Sequence, residues 1–285
     1  MKNISLFIIT LSFIGIANHA IAQSKNDTLI LHNAQWGSSR RSGFAELNIP
    51  SAGSLLQGFI YTANGSKKHS TLILLHGFPG NERNLDLAQV FRSRGWNVIY
   101  FDYRGSWGSQ GAFSFKHCVE DVVNVVAFCK ANAAKFNIDT ANIALFGHSM
   151  GGFVCLKALT MLPGVKKGFA LSAWDIGASV KQDKGDMKKL EQHNGKYFVL
   201  NATTKQLFQP VLDDPNYFNL QLTAAALAKK QVVMLDEHHF NKDLADAIKA
   251  KNKAGFNYEV WDTDHPFSNY RVSLIKKALA FFNSK

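Results

Sequence analysis

The chain has only three cysteines among its 285 residues. So small and odd a number excludes the disulfide framework of a small secreted domain. Cys118 and Cys129 fall on one predicted helix over residues 115–131. Their spacing along that helix separates them by about 16 Å, too far for a disulfide bond. Cys155 falls on a second, apolar helix, so we predict three free and buried thiols.

Beyond its first residues the sequence lacks an apolar run long enough to cross a bilayer. The N-terminus has a basic start at Lys2, a short apolar stretch over residues 4–17 and an Ala-Ile-Ala pattern that ends at Ala22. These features are typical of a secretory signal peptide. We predict that residues 1–22 are a signal peptide cleaved after Ala22, with an uncleaved anchor as the alternative. The protein is then expected to be exported, periplasmic or secreted, with no membrane span in the mature chain.

Patterns typical of nucleic-acid or metal binding are also missing. The formal net charge is +11, but the lysines are scattered and no aromatic-interleaved basic stripe accompanies them. We therefore expect no nucleic-acid partner. His238 and His239 are adjacent, so their side chains diverge on a helix or a strand, and no further ligands lie at a fitting spacing. We expect no metal and no cofactor.

The most informative stretch is residues 142–159. A nearly unbroken apolar run over 142–146 predicts a strand buried on both faces, and an apolar helix follows over 151–159. Between them residues 147–151 form a Gly-x-Ser-x-Gly motif centred on Ser149. A sharp turn from strand into helix strains the central residue and holds its side chain above the sheet, while the glycines avoid clashes. Ser149 is the candidate nucleophile.

With this motif the chain resembles the α/β hydrolases, notably their esterases and serine peptidases. A second motif, His-Gly-Phe-Pro-Gly over residues 76–80, follows a predicted strand at the place where that family supplies one backbone N–H of its oxyanion hole. The resemblance implies that Phe78 and Met150 are the two oxyanion donors. It also implies a histidine base after the last strand, where His265 stands. The loops at 102–111 and 263–268 are similar to those of bacterial prolyl-oligopeptidase-like and aminopeptidase-like members.

The family order of nucleophile, acid and histidine places the acid after the strand at 231–235. Three carboxylates remain open there: Asp236, Glu237 and Asp175. We choose Asp236, because it directly follows the strand at the carboxyl edge of the sheet, where catalytic groups gather in open α/β sheets. Glu237 lies one residue further on and has a longer, more flexible side chain. Asp175 is better placed to cap the start of the following segment.

Strands and helices alternate along most of the chain and predict an α/β fold: a mostly parallel sheet with helices on both faces. One strand is predicted over residues 168–174. The alternation of strands and helices stops over residues 176–228. The resemblance implies that this segment is a small cap insertion over the active site. The hydrolase domain is predicted to cover 42–284.

The predicted function is a serine hydrolase that cleaves ester or amide bonds through an acyl-enzyme, with a carboxylesterase preferred. A serine peptidase or aminopeptidase is the alternative among enzymes, and a non-catalytic binding protein on a hydrolase scaffold is the alternative from another class. The expected partner is a small-molecule or peptide substrate. The candidate triad is Ser149, Asp236 and His265.

Overall fold

A computed structural model describes residues 36–37, 40–183, 186–194 and 197–284. The predicted signal peptide and its cleavage site lie outside these residues. Eight strands form one sheet in the order β1-β2-β4-β3-β5-β6-β7-β8. The strands are β1 Gly43–Ser51, β2 Ser54–Thr62, β3 His69–Leu75, β4 Asn97–Phe101, β5 Ile138–His148, β6 Lys167–Leu171, β7 Gln231–Asp236 and β8 Phe256–Val260.

The sheet is mostly parallel. β1 and β2 form an antiparallel hairpin, and β2 also runs antiparallel to β4. The remaining pairs, from β4 through β3, β5, β6 and β7 to β8, are all parallel. Parallel strands end at the same edge, so the residues that follow β3, β5, β6, β7 and β8 gather along one side of the molecule.

The helices are α1 Leu85–Ser93, α2 Phe115–Ala131, α3 Ala133–Phe136, α4 Met150–Met161, α5 Ile176–Gln182, α6 Met187–Asn194, α7 Thr204–Asp213, α8 Pro215–Phe218, α9 Lys242–Lys251 and α10 Arg271–Asn283. Short 3-10 helices cover Leu220–Thr223, Ala226–Lys229 and Ser268–Tyr270. In the part of the chain that the structure describes, no helix combines the length and the apolar character needed to span a membrane.

Side chains alternate between the two faces along the central strands, and apolar side chains on each face pack against helices. Phe146 of β5 stacks on Phe169 of β6 at 5.2 Å between ring centroids, and Phe169 lies 6.4 Å from Phe282 of α10. α10 also contacts α1. The neighbouring residues Leu145 and Ala170 point the other way, into a core shared with α2 and α4. The predicted α/β fold with helices on both faces is confirmed.

Between β6 and β7 the described chain forms a series of short helices, from α5 to the 3-10 helix Ala226–Lys229. Asp175 caps the start of α5, and its side chain accepts a hydrogen bond from the Ala178 amide at 3.0 Å. Phe208 of α7 and Phe218 of α8 are buried against Phe115 of α2. These aromatic contacts hold the segment predicted as a cap against the core.

Candidate active site

Ser149 occupies a tight turn between the last residue of β5 and the first residue of α4. Its backbone angles, φ 58° and ψ −120°, lie in a region that non-glycine residues seldom adopt. A Cβ on Gly147 would collide with the Gly151 carbonyl, and a Cβ on Gly151 would collide with the Leu75 carbonyl of β3. Both glycines are therefore required for α4 to approach the sheet this closely, and the turn holds Ser149 at the carboxyl edge.

The loop after β3 lies directly against this turn. A Cβ on Gly77 would stand 3.0 Å from the Cβ of Ser149, so the backbone around Gly77 and Phe78 passes close to the serine. The indole N–H of Trp107 donates to the Pro79 carbonyl at 2.7 Å and braces the loop. Met150 is the first residue of α4, where an amide has no carbonyl one turn earlier to bond. Ser149 thus lies between the Phe78 loop and the start of α4.

His265 lies on the loop after β8 and lines the same cavity as Ser149. Its Nδ1 forms a 2.6 Å hydrogen bond with Oε1 of Glu237, the first residue after β7. The Ser172 hydroxyl donates to the other oxygen of Glu237. Burial raises the pKa of Glu237, but the hydrogen bonds from His265 and Ser172 outweigh it and hold the pKa at about 2. Glu237 is therefore ionised wherever the protein is folded near neutral pH.

The structure places Glu237 beside His265, and not Asp236, the residue chosen from the sequence. Asp236 still belongs to β7, where it pairs with Val260 of β8, and its side chain is buried in the opposite direction from that of Glu237. One oxygen accepts from Asn241 Nδ2 at 3.1 Å. The third candidate, Asp175, caps α5 as the sequence suggested.

Burial raises the pKa of Asp236 from 3.8 to about 7. A carboxyl whose pKa is higher in the folded state stabilises the fold below its unfolded pKa and loses that contribution as the pH rises through the folded pKa. The free energy of unfolding of Asp236→Asn, relative to wild type, is therefore expected to rise by about 2 to 4 kcal/mol between pH 4 and pH 8. Urea unfolding of both proteins at several pH values measures this difference. A difference that stays flat over this pH range would contradict the raised pKa of Asp236.

The cavity beside Ser149 has a volume of about 620 Å³. Its walls come from the loops after β3, β6, β7 and β8 and from the segment between β6 and β7. Phe78, Trp174, Tyr197 and Phe240 contribute aromatic rings to them, and Tyr197 meets Phe78 edge to face at 5.0 Å between ring centroids. The lining residues are Phe78, Ser149, Ser172, Ala173, Trp174, Asp175, Ala178, Ser179, Gln182, Tyr197, His238, Phe240, Asn241 and His265.

Sequence reasoning missed Ser172 as a partner of Glu237. The strand predicted over 168–174 ends at Leu171, because Ser172 adopts a left-handed φ of 45° and turns the chain. That turn delivers its hydroxyl to the carboxylate. No signal in the residues around Ser172 marks this conformation, since serine is uncommon at positive φ. Among the described residues, no three His, Cys, Asp or Glu side chains are grouped so that they could hold a metal ion.

A mostly parallel eight-stranded sheet, with a serine on a tight strand-to-helix turn and a histidine–carboxylate pair on the loops beyond it, defines the α/β hydrolases. The chain belongs to the serine aminopeptidase S33 family, Hydrolase_4, whose family model matches residues 66–232, more than half of the chain. This confirms the resemblance drawn from the sequence.

Two relatives match a shorter stretch. The "uncharacterized 31.7 kDa protein in traX-finO intergenic region" of Escherichia coli is 37% identical over 94 residues, covering 31% of this chain and 32% of the relative. Lysophosphatidylserine lipase ABHD12 of Macaca fascicularis is 28% identical over 100 residues, covering 34% of this chain and 24% of the relative. The match thus spans a third or less of each relative's length.

Solved structures share the fold. The Pyrococcus furiosus esterase Pf2001 matches with a TM-score of 0.61 and 19% identity, over 87% of this chain and 96% of the esterase. Est1E of Butyrivibrio proteoclasticus matches with a TM-score of 0.60 and 15% identity, over 84% and 99%. An acylaminoacyl peptidase matches with a TM-score of 0.65 and 16% identity, over 86% and 42%. At these identities the likeness shows the fold alone.

Proposed function

We propose that the protein is an exported serine hydrolase that cleaves carboxylic esters through an acyl-enzyme on Ser149. One observation carries the proposal: the 2.6 Å hydrogen bond that orients His265 on Glu237, at a cavity that also contains Ser149 on its strained turn. A serine hydroxyl needs such a base to become a nucleophile at neutral pH. A binding protein would gain nothing from the same arrangement.

In the acylation step Nε2 of His265 takes the proton from Oγ of Ser149 as Oγ attacks the substrate carbonyl carbon. The amides of Phe78 and Met150 donate to the oxygen that becomes negative. Nε2 then gives the proton to the leaving alcohol as the ester C–O bond breaks. In the deacylation step water attacks the acyl-enzyme, Nε2 accepts its proton and returns it to Oγ, and the acid product leaves. Glu237 stays ionised and keeps the proton of the neutral ring on Nδ1.

The cavity lining favours an ester with an apolar acyl group over the substrate of an aminopeptidase. A peptide's free ammonium group loses its hydration on binding and needs an anionic partner. Asp175 is the one carboxylate among the described lining residues, and its side chain already caps α5. Burial also raises the pKa of Asp175, which disfavours its anionic form. The aromatic walls suit an apolar acyl group instead.

The proposal is tested by comparing purified protein on p-nitrophenyl butyrate and on aminoacyl p-nitroanilides. We expect a kcat/KM at least about a hundredfold higher for the ester, because the reaction uses the cavity and needs no ammonium site. An equal or higher kcat/KM on a nitroanilide would favour the peptidase. No turnover of either substrate, together with no labelling by a fluorophosphonate, would favour a binding protein.

Tyr197 and Phe198 offer a matched pair for the acyl cavity. Tyr197 is half-buried and packs on Phe78, whereas the neighbouring Phe198 is 99% exposed. Tyr197→Ala removes one aromatic wall and is expected to lower kcat/KM for p-nitrophenyl hexanoate about tenfold, mainly by raising KM. Phe198→Ala is expected to stay within about twofold of wild type. Steady-state kinetics of the three proteins decide the matter, and equal effects of the two substitutions would argue against Tyr197 as a wall of the acyl site.

A further inference from the structure

The position of His265, the candidate base, depends on the backbone of the loop that carries it. His265 lies on the loop between β8 and the 3-10 helix Ser268–Tyr270, and its side chain is 51% exposed, so little packing fixes the ring. Glu237 holds Nδ1, but one hydrogen bond still lets the ring swing. A base displaced by about 1 Å can cost a hundredfold in rate. The loop must therefore be fixed as well as the ring.

Two side chains form hydrogen bonds with backbone carbonyls of this loop. Arg271 donates to the Pro266 carbonyl at 3.0 Å and is itself paired with Asp86 of α1. The second hydrogen bond comes from His148, the residue immediately before Ser149. Its Nε2 lies 3.0 Å from the carbonyl oxygen of His265. His148 and Ser149 are consecutive in the chain. The hydrogen bond from His148 therefore links the backbone beside the candidate nucleophile to the loop that carries the candidate base.

The His148 ring is almost completely buried and lies against the ring of His265, with centroids 4.7 Å apart and planes inclined by 36°. Burial lowers the pKa of His148 to about 4, so the ring is neutral near pH 7 and carries a single N–H. A carbonyl oxygen can only accept a hydrogen bond, so this proton belongs on Nε2. Among the described residues Nδ1 of His148 has no hydrogen-bond partner, which also fits the acceptor form of that nitrogen.

We propose that His148 is a positioning residue for His265, and this proposal rests on the proposed function. Its Nε2–H fixes the His265 carbonyl, and its ring packs against the His265 ring, so that the base keeps its position relative to Ser149. His148 takes no proton in the reaction. It acts on kcat through the geometry of the base and leaves the acyl cavity unchanged.

Two substitutions of similar shape separate the hydrogen bond from packing. The side chain of His148→Gln can place an N–H near the position of Nε2, whereas that of His148→Met is of similar length but has no donor. We expect His148→Met to lower kcat about 30-fold with KM within about twofold, and to slow fluorophosphonate labelling in proportion. His148→Gln is expected to stay within about fivefold of wild type. Equal losses in the two variants, or a loss in KM alone, would overturn the proposal.

A measurement on the wild-type protein avoids any question of folding. In ¹⁵N-histidine NMR at pH 7, His148 is expected to be a neutral ring protonated on Nε2, with that proton in a hydrogen bond. A ring protonated on Nδ1, or charged at pH 7, would overturn the proposal. This readout does not depend on turnover. A protein that shows the expected His148 signal but neither reacts with a fluorophosphonate nor hydrolyses esters would contradict the proposed function alone.

Discussion

Replacing Ser149 by alanine is expected to lower kcat for p-nitrophenyl esters by about 10⁵-fold and to leave the fold intact. Without the hydroxyl, His265 has no proton to take and no acyl-enzyme forms, while the oxyanion donors remain and sustain a small residual rate. KM is expected to change little, since the walls of the cavity stay in place. The measurement is kcat at one pH for purified wild-type and variant protein, with circular dichroism to compare the folds.

Ser179→Ala is the matched control for this substitution. Ser179 lines the same cavity, and its hydroxyl accepts the indole N–H of Trp174 at 2.8 Å, but the mechanism gives it no part in proton transfer. We expect it to stay within about fivefold of wild type. A Ser149→Ala protein with wild-type turnover would mean that another group is the nucleophile.

The second large effect concerns the carboxylate. Glu237→Gln is expected to lower kcat by about 10³- to 10⁴-fold, by analogy with the loss of the triad carboxylate in serine proteases. A glutamine can present its amide to Nδ1 of His265, which then holds the ring in the tautomer with the proton on Nε2. In that tautomer the ring cannot accept the proton of Ser149. The effect is expected in kcat rather than in KM.

Asp236→Asn is the matched control, adjacent in sequence and opposite in orientation. Its side chain is buried on Asn241 and lies outside the hydrogen bonds of His265, so a loss of less than about tenfold is expected. The two variants are compared at the same pH and on the same substrate. A larger loss for Asp236→Asn than for Glu237→Gln would reverse the assignment made from the structure and restore the one made from the sequence.

Much of the sheet was predictable because its central strands are short apolar runs, which indicate buried strands even where their exact ends are not marked. The helix over residues 115–131 has the predicted bounds. The turn at Ser149 was also predictable, since the crowding at Gly147 and Gly151 leaves room for no side chain and so leaves a motif in the sequence.

The carboxylate could not be chosen from the sequence, because the choice depends on one residue of strand length. β7 was predicted to end at Leu235, which would have made Asp236 the first residue beyond the sheet. In the structure Asp236 still pairs with Val260, and its carbonyl accepts the amide of Trp261 at 2.8 Å. Because side chains alternate along a strand, this one extra strand residue directs the Asp236 side chain into the core and the Glu237 side chain toward His265. Hydrogen bonds between β7 and β8 set where β7 ends, and the residues around Asp236 do not indicate them.

The central claim, an activated Ser149, is tested most directly by locating a covalent adduct. Purified protein is treated with a fluorophosphonate, and the modified peptide is sequenced by mass spectrometry. The account predicts one adduct per chain, on Ser149, and a much slower reaction in Glu237→Gln, in which the base is held in the wrong tautomer. No adduct, or an adduct on another residue with Ser149 unmodified, would contradict it.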